Sequence, residues 1–333
     1  MVDKKSDLQV KRSVTELCPD RDCLTITKEL KGHGYKVNLV ALGDVGANLL
    51  LGLKLLGSEL IDTIGIFDVN ENVIKRYEIE MNQIGWPFGT KKLPVVKGLS
   101  EEELFDCDMF VFCASKAVPP VGTSGDVRMM QFEANRQIAS YYGKMAKERN
   151  FKGIFSVVSD PVDPLCKEVL ISSGLSAGQI RGYGLGVMNK RAEYFASKYI
   201  EAGDSRFASY LTEGRAFGPH GGDLVIANSI ESYDDEISKE LTELTVKANL
   251  EVRELGFKPY LAPAISSGAI SLLLTLSGQW NYSSVYLGGG KQGAFLGIRN
   301  RICGDKVEIE DLPLPEELYK RIEKAYINLC RLV

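Results

Sequence analysis

Apolar residues along the chain follow two rhythms. Short unbroken runs of strand length alternate with longer stretches in which apolar positions recur every three or four residues, as on one helix face. Leu39 to Leu42 is the first run and predicts a buried strand, and an apolar helix follows from Ala47 to Leu56. Ile64 to Phe67, Asp108 to Ser115 and Phe151 to Asp160 predict further strands, while Val127 to Arg149 has helical periodicity. Alternation of this kind over residues 36–160 implies a parallel, doubly wound sheet. The second half reads differently. Met188 to Ile200 is an amphipathic helix, Arg206 to Arg215 suggests a strand and turn, and Ser238 to Leu255 is strongly helical. Pro263 to Leu276 predicts an apolar helix rich in small residues. Tyr282 to Leu287 and Gly293 to Ile302 read as an antiparallel strand pair, with a charged amphipathic helix from Pro315 onward.

The turn between the first strand and helix carries the first chemical signal. Gly43 and Gly46 punctuate it, and the second strand ends on Asp68. Strand, glycine turn, helix and strand-end carboxylate form the layout of a dinucleotide-binding unit. Backbone N–H groups at the helix start favour a pyrophosphate. A carboxylate at Asp68 would bind both ribose hydroxyls and repel a 2′-phosphate, which favours NAD over NADP. Ala41 stands where the fingerprint's first glycine belongs, and Asp44 lies inside the loop, where its charge must point outward. The expected nucleotide-binding residues here are Ala41, Gly43, Val45, Gly46 and Asp68. The expected fold class is α/β: a Rossmann-type doubly wound parallel sheet with a C-terminal α+β substrate domain. An N-terminal extension covers residues 1–35, a nucleotide-binding domain 36–182 and a catalytic domain 183–333. The extension is expected to hold a short strand or arm that packs on a neighbouring subunit.

Composition adds little beyond exclusions. The 333 residues suffice for two subdomains, and a net charge of −4 gives no footprint for nucleic acid or an anionic membrane. No apolar stretch reaches bilayer length, and the polar N-terminus lacks the apolar core of a secretion signal, so a cytoplasmic location is expected. Seven scattered cysteines argue against a disulfide framework. Cys18 and Cys23 in CPDRDC have the look of a metal clip, but zinc needs further ligands and His33 is the only histidine nearby. No metal is expected.

His33 and His220 are the only histidines. His33 sits in a polar lead-in to the first strand. His220 sits in GPHGGD, where it is either a proton donor beside a ligand or a histidine in a glycine-rich turn. Arg128 follows the Pro/Gly-rich stretch AVPPVGTSGDV, which reads as a loop over a site. Arg191 opens the amphipathic helix after GYGLG. Either arginine can hold a carboxylate with two parallel hydrogen bonds or lie solvated on its helix. Arg215 is a weaker candidate.

In order, these motifs resemble the lactate/malate dehydrogenase family from Val37 to the C-terminus. ALGDVG with Asp68 resembles its nucleotide fingerprint. The strand ending in Ala114 and Ser115, the Pro/Gly loop, and Arg128 followed by Asn135 resemble its substrate-covering loop and helix. VSDPVDPL, containing Ser159, is similar to the family's VSNPVD segment. The resemblance implies NAD as cofactor and hydride transfer with a 2-hydroxy or 2-oxo acid. It adds Ala114, Ser115, Asn135 and Ser159 to the cofactor site. It makes Arg191 the carboxylate anchor, His220 the proton carrier, and Arg128 a second substrate-binding group that polarises the carbonyl. It also implies a homodimer or homotetramer.

Three positions depart from the family pattern. The aspartate that usually charges the histidine is Met188, and methionine accepts no useful hydrogen bond from an imidazolium. The usual asparagine of VSNPVD is Asp160, which is expected to replace the missing carboxylate beside His220. Val118 to Gly122 offers neither the arginine of malate enzymes nor the glutamine of lactate enzymes, so an apolar or unusual substrate side chain is expected. The alternative is a non-catalytic NAD-binding relative acting as sensor or assembly partner. A third possibility is the same fold used for different chemistry on a related ligand.

Overall fold

The computed structural model describes residues 12–18, 20, 24–116, 127–289 and 292–332; the side chains of Val127, Arg128, Met129 and Gln131 lie outside that description. The first half runs β1 (Tyr35–Val40), α1 (Asp44–Leu56), β2 (Ile61–Phe67), α2 (Glu71–Asn82), β3 (Val95–Gly98), β4 (Met109–Phe112), α3 (Val127–Glu148), β5 (Ile154–Val157), α4 (Val162–Ser173) and β6 (Ile180–Gly182). These six strands are parallel and ordered β3-β2-β1-β4-β5-β6. The order reverses at β1 and β4, so a crevice opens beyond their carboxyl ends, where such sheets take their ligands. The sheet is buried on both faces, which is why its strands read as unbroken apolar runs. Leu39, Ile64 and Val111 belong to one hydrophobic cluster, together with Leu49 and Leu53 of α1. Phe110 and Phe155 belong to a second cluster, with Tyr142 of α3 and Leu165 of α4.

The second half holds α5 (Leu185–Glu201), α6 (Tyr210–Glu213), β7 (Arg215–Phe217), β8 (Val225–Ala227), α7 (Asp235–Glu254), a π-helical stretch (Pro263–Ile270), α8 (Ser271–Leu276), β9 (Asn281–Leu287), β10 (Ala294–Cys303), β11 (Lys306–Ile309) and α9 (Glu316–Leu332). β9 and β10 form the expected antiparallel pair, and β9 joins β6, so the pair extends the main sheet. The segment read as a strand and turn is instead the short helix α6. There Tyr210 packs its ring under Gly214, which has no side chain to prevent it, and donates to Asn189 Oδ1 at 2.9 Å. The helix expected from Pro263 is π-wound in its first part, where Ser271 Oγ donates to the Ser266 carbonyl at 2.8 Å.

The described part of the N-terminal extension packs on its own chain. Val14, Leu17, Leu24 and Ile26 are buried in the first core cluster. Arg12 bridges Leu314 and Thr25 bridges Lys306. Lys28 and Lys31 both donate to the buried carboxylate of Asp108, at 2.7 and 2.8 Å. Their charges offset what burial would otherwise cost, holding the Asp108 carboxyl below its ordinary value against the opposing pull of desolvation. Residues 1–11 lie outside the described residues. Among those described, no helix is long and apolar enough to cross a membrane.

Candidate active site

The turn after β1 is built by close approach. Ala41 takes a left-handed φ of 72°, a conformation that strains any residue with a Cβ. A Cβ on Gly46 would lie 1.9 Å from the Ala41 carbonyl oxygen, so only glycine lets α1 start this close to the strand. Gly43 caps α1 without a side-chain hydrogen bond. Asp68 Oδ2 accepts from the Leu42 N–H at 2.8 Å, and Oδ1 accepts from Asn70 N at 3.0 Å. Each oxygen keeps acceptor capacity for a hydroxyl. Asp44 is half exposed and pairs with Lys258 at 3.1 Å, so its charge is matched outside the turn. Val45 is partly buried in the first turn of α1. These residues fit a dinucleotide: a glycine-shaped cradle at a helix start, with a carboxylate at the next strand end. Ala41→Gly relieves the left-handed strain but frees the unfolded chain, for a net gain of about 0.5–1 kcal/mol. Urea denaturation measures it; a loss of stability would contradict the strain.

Beyond β4 and β5 the chain is tied by one buried amide. Asn135 Oδ1 accepts from Lys116 N at 2.8 Å, and its Nδ2 donates to the Asp160 carbonyl at 2.8 Å and to Ser115 Oγ at 3.2 Å. Both amide hydrogens are thus engaged in joining the two strand ends. Ser159 Oγ donates to the Ala114 carbonyl at 2.7 Å. Ala114, Ser115, Asn135 and Ser159 thus hold the crevice floor in shape.

Asp160 and His220 meet across this floor. Asp160 Oδ1 lies 3.2 Å from His220 Nδ1, with side-chain exposures of 47% and 20%. His220 sits on the hairpin loop joining β7 to β8. Gly218, at φ 93°, donates its N–H to the Gly297 carbonyl at 2.9 Å and so docks that loop on β10. Met188 is buried, and its sulfur accepts from Arg191 Nη1 at 3.4 Å. Burial lowers the Arg191 guanidinium from its ordinary value, while the nearby Asp160 charge pulls the other way. Arg215 is engaged elsewhere, gripping Glu310 through Nε at 2.7 Å and Nη2 at 3.1 Å. The Arg128 side chain, Val118 to Gly122 and Cys23 lie outside the described residues, and His33 is exposed.

Two residues that the sequence pattern does not single out support the site. Ser267 Oγ donates to the Gly184 carbonyl at 2.9 Å and accepts from Val187 N at 2.8 Å, pinning the start of α5 to the π-helical stretch. Asp163, in the first turn of α4, is buried, and its Oδ1 has no hydrogen-bond partner among the described residues. Burial pushes its carboxyl up to about 7, despite a hydrogen bond from Ser284. The visible hint was an acidic residue at a helix start between apolar neighbours.

Together these features define a nucleotide-binding α/β protein with a histidine–carboxylate pair and a desolvated arginine at the strand ends. Residues 35–182 match the family model described as lactate/malate dehydrogenase, NAD binding domain. An L-lactate dehydrogenase of Corynebacterium glutamicum is 28% identical over 56% of this chain, and that match spans only 56% of the bacterial enzyme. One from Geobacillus kaustophilus is 24% identical over 90% of this chain and 96% of its own length. A minor L-lactate dehydrogenase of Enterococcus mundtii, solved with ligands bound, superposes with a TM-score of 0.74 at 22% identity, over 91% of this chain and 98% of that one. Residues 35–182 therefore carry a lactate/malate dehydrogenase NAD-binding domain, and the chain as a whole is similar to L-lactate dehydrogenases over nine-tenths of its length.

Proposed function

We propose that the protein is an NAD-dependent oxidoreductase acting between a 2-hydroxy acid and the corresponding 2-oxo acid. The observation that carries this reading is the His220–Asp160 pair facing a desolvated arginine beyond the strand ends. Ala41, Gly43, Val45, Gly46 and Asp68 would hold the dinucleotide on one side. Ala114, Ser115, Asn135 and Ser159 would shape its seat on the other. Bound NAD supplies the hydride donor or acceptor.

The chain's own groups do the rest. Arg191 has no carboxylate partner among the described residues, so its guanidinium is available to a substrate carboxylate, which it would grip with two parallel hydrogen bonds. Asp160 engages Nδ1 of His220, which leaves Nε2 to give a proton to the carbonyl oxygen, or take it from the hydroxyl. The imidazolium formed in the oxidation direction is stabilised by the Asp160 carboxylate. Arg128 is assigned, from the family pattern, to polarise the same oxygen. The sensor or assembly-partner alternative has no observation of its own in its favour.

NADH oxidation against a panel of 2-oxo acids of varied size and charge tests this reading. Turnover of at least one is expected. Calorimetric binding of NADH with no turnover across the panel would overturn it.

A further inference from the structure

A cavity of about 660 Å³ lies between α5, the C-terminal turns of α7 and the segment entering the π-helical stretch. Arg191 forms part of its wall. Pockets of ~300–1,000 Å³ take drug-sized ligands, so it is far wider than the six heavy atoms of a three-carbon oxo acid require. Val187 and Phe195 of α5, Val252 of α7, and Leu261 and Ala262 make much of the remaining wall apolar. Leu261 is 61% exposed and Val252 36%, so apolar surface at the cavity is left for a ligand to cover.

The charged groups of the wall are poorly placed to take a second carboxylate. Lys190 is already paired with Glu193, and Lys258 with Asp44 at 3.1 Å. Glu251, also on the wall, would repel a ligand anion. An anionic substrate tail would have to compete with two existing ion pairs, whereas an apolar one meets side chains that gain by being covered.

We propose that this cavity is the side-chain pocket of the acid held on Arg191, and that the substrate class is a monocarboxylic 2-oxo or 2-hydroxy acid with a branched or aromatic apolar side chain. The inference rests on the reading of Arg191 as the carboxylate anchor. One methylene in an apolar pocket changes kcat/KM by ~10- to 200-fold. 4-Methyl-2-oxopentanoate or phenylpyruvate should therefore exceed pyruvate and oxaloacetate by about a hundredfold or more.

Ala262→Phe fills the pocket from an exposed position, so the change need not disturb the core. It should lower the ratio of kcat/KM for 4-methyl-2-oxopentanoate over pyruvate at least about tenfold. A second readout needs no turnover: ligand-observed NMR of the same two acids with enzyme loaded with oxidised NAD, where no hydride can move to them. Binding of 4-methyl-2-oxopentanoate that is tighter than that of pyruvate, and weakened by Ala262→Phe, supports the pocket even if no oxo acid turns over, an outcome that would sink only the dehydrogenase reading. Preference for pyruvate or oxaloacetate, selectivity untouched by Ala262→Phe, or no binding of either acid would overturn the pocket.

Discussion

Replacing His220 by asparagine is expected to lower kcat/KM for the preferred 2-oxo acid by ~10²- to 10⁴-fold, the usual worth of a positioned proton donor. Asp160→Asn should cost a comparable amount, up to ~10⁴-fold by analogy with other histidine–aspartate couples. The reason lies in the contact at 3.2 Å between Asp160 Oδ1 and His220 Nδ1. It fixes which ring nitrogen faces the substrate and supplies the negative charge that Met188 cannot. If the two side chains act as a unit, the double variant should be little worse than either single one, since groups that work together are strongly non-additive. Losses that multiply in the double variant would show that Asp160 acts independently of the imidazole.

The same geometry separates chemistry from binding. Arg191 is close enough to Asp160 to feel its field. Removing that negative charge should leave carboxylate binding intact or tighten it slightly, so the loss in Asp160→Asn should fall on kcat. A rise in KM that accounts for the whole effect would place Asp160 in substrate binding instead.

Much of this arrangement was legible in the sequence, because the apolar runs of strands, the glycine turn and the residues at strand ends are local properties. The runs at Leu39, Ile64, Phe110 and Phe155 are apolar on both faces because the sheet is buried on both. The helices after Leu39 and Phe155 begin where glycine or proline interrupts the run, and the one after Ile64 begins at the Asn70 cap. Element ends were less legible: β1 begins at Tyr35 and stops at Val40, since Ala41 already turns left-handed. The closeness of Asp160 to His220 followed from a deficit, as an imidazolium without Met188's usual carboxylate needs another. What could not be read is what depends on three-dimensional packing. The hydroxyl of Ser267 belongs to a small-residue helix in sequence and to the start of α5 in space. The apolar cavity draws its wall from α5 and from residues 248–266, with Asn48 of α1 added, parts of the chain far apart in sequence. The apolar residues of the N-terminal segment follow no period that foretells its docking, yet two lysines and a few buried side chains hold it against Asp108, β11 and α9.

Asp163 leads to the second large effect, one of stability against pH. Its carboxyl is pushed up to about 7 chiefly by burial; its hydrogen bonds and the His220 field oppose the rise, and the Asp160 charge adds to it. In the unfolded chain an aspartate titrates near ~3.9. Below that value both states hold the proton, and Asp163 contributes nothing to the pH dependence. Between there and about 7 the folded state keeps a proton that the unfolded state has released, so stability falls as pH rises across this window. Above it both states are ionised and the penalty is complete, on the order of 4 kcal/mol for a shift of about three units. Asp163→Asn keeps the shape and removes the ionisation. Its stability relative to the natural protein should be near equal around pH 4 and greater by a few kcal/mol at pH 8, as read from urea midpoints at both values. Parallel pH profiles for the two proteins would show that Asp163 ionises in the fold without hindrance. The ionisation also bears on the chemistry: as pH rises through about 7, Asp163 gains a negative charge within reach of His220 and Asp160, and Asp163→Asn removes that change.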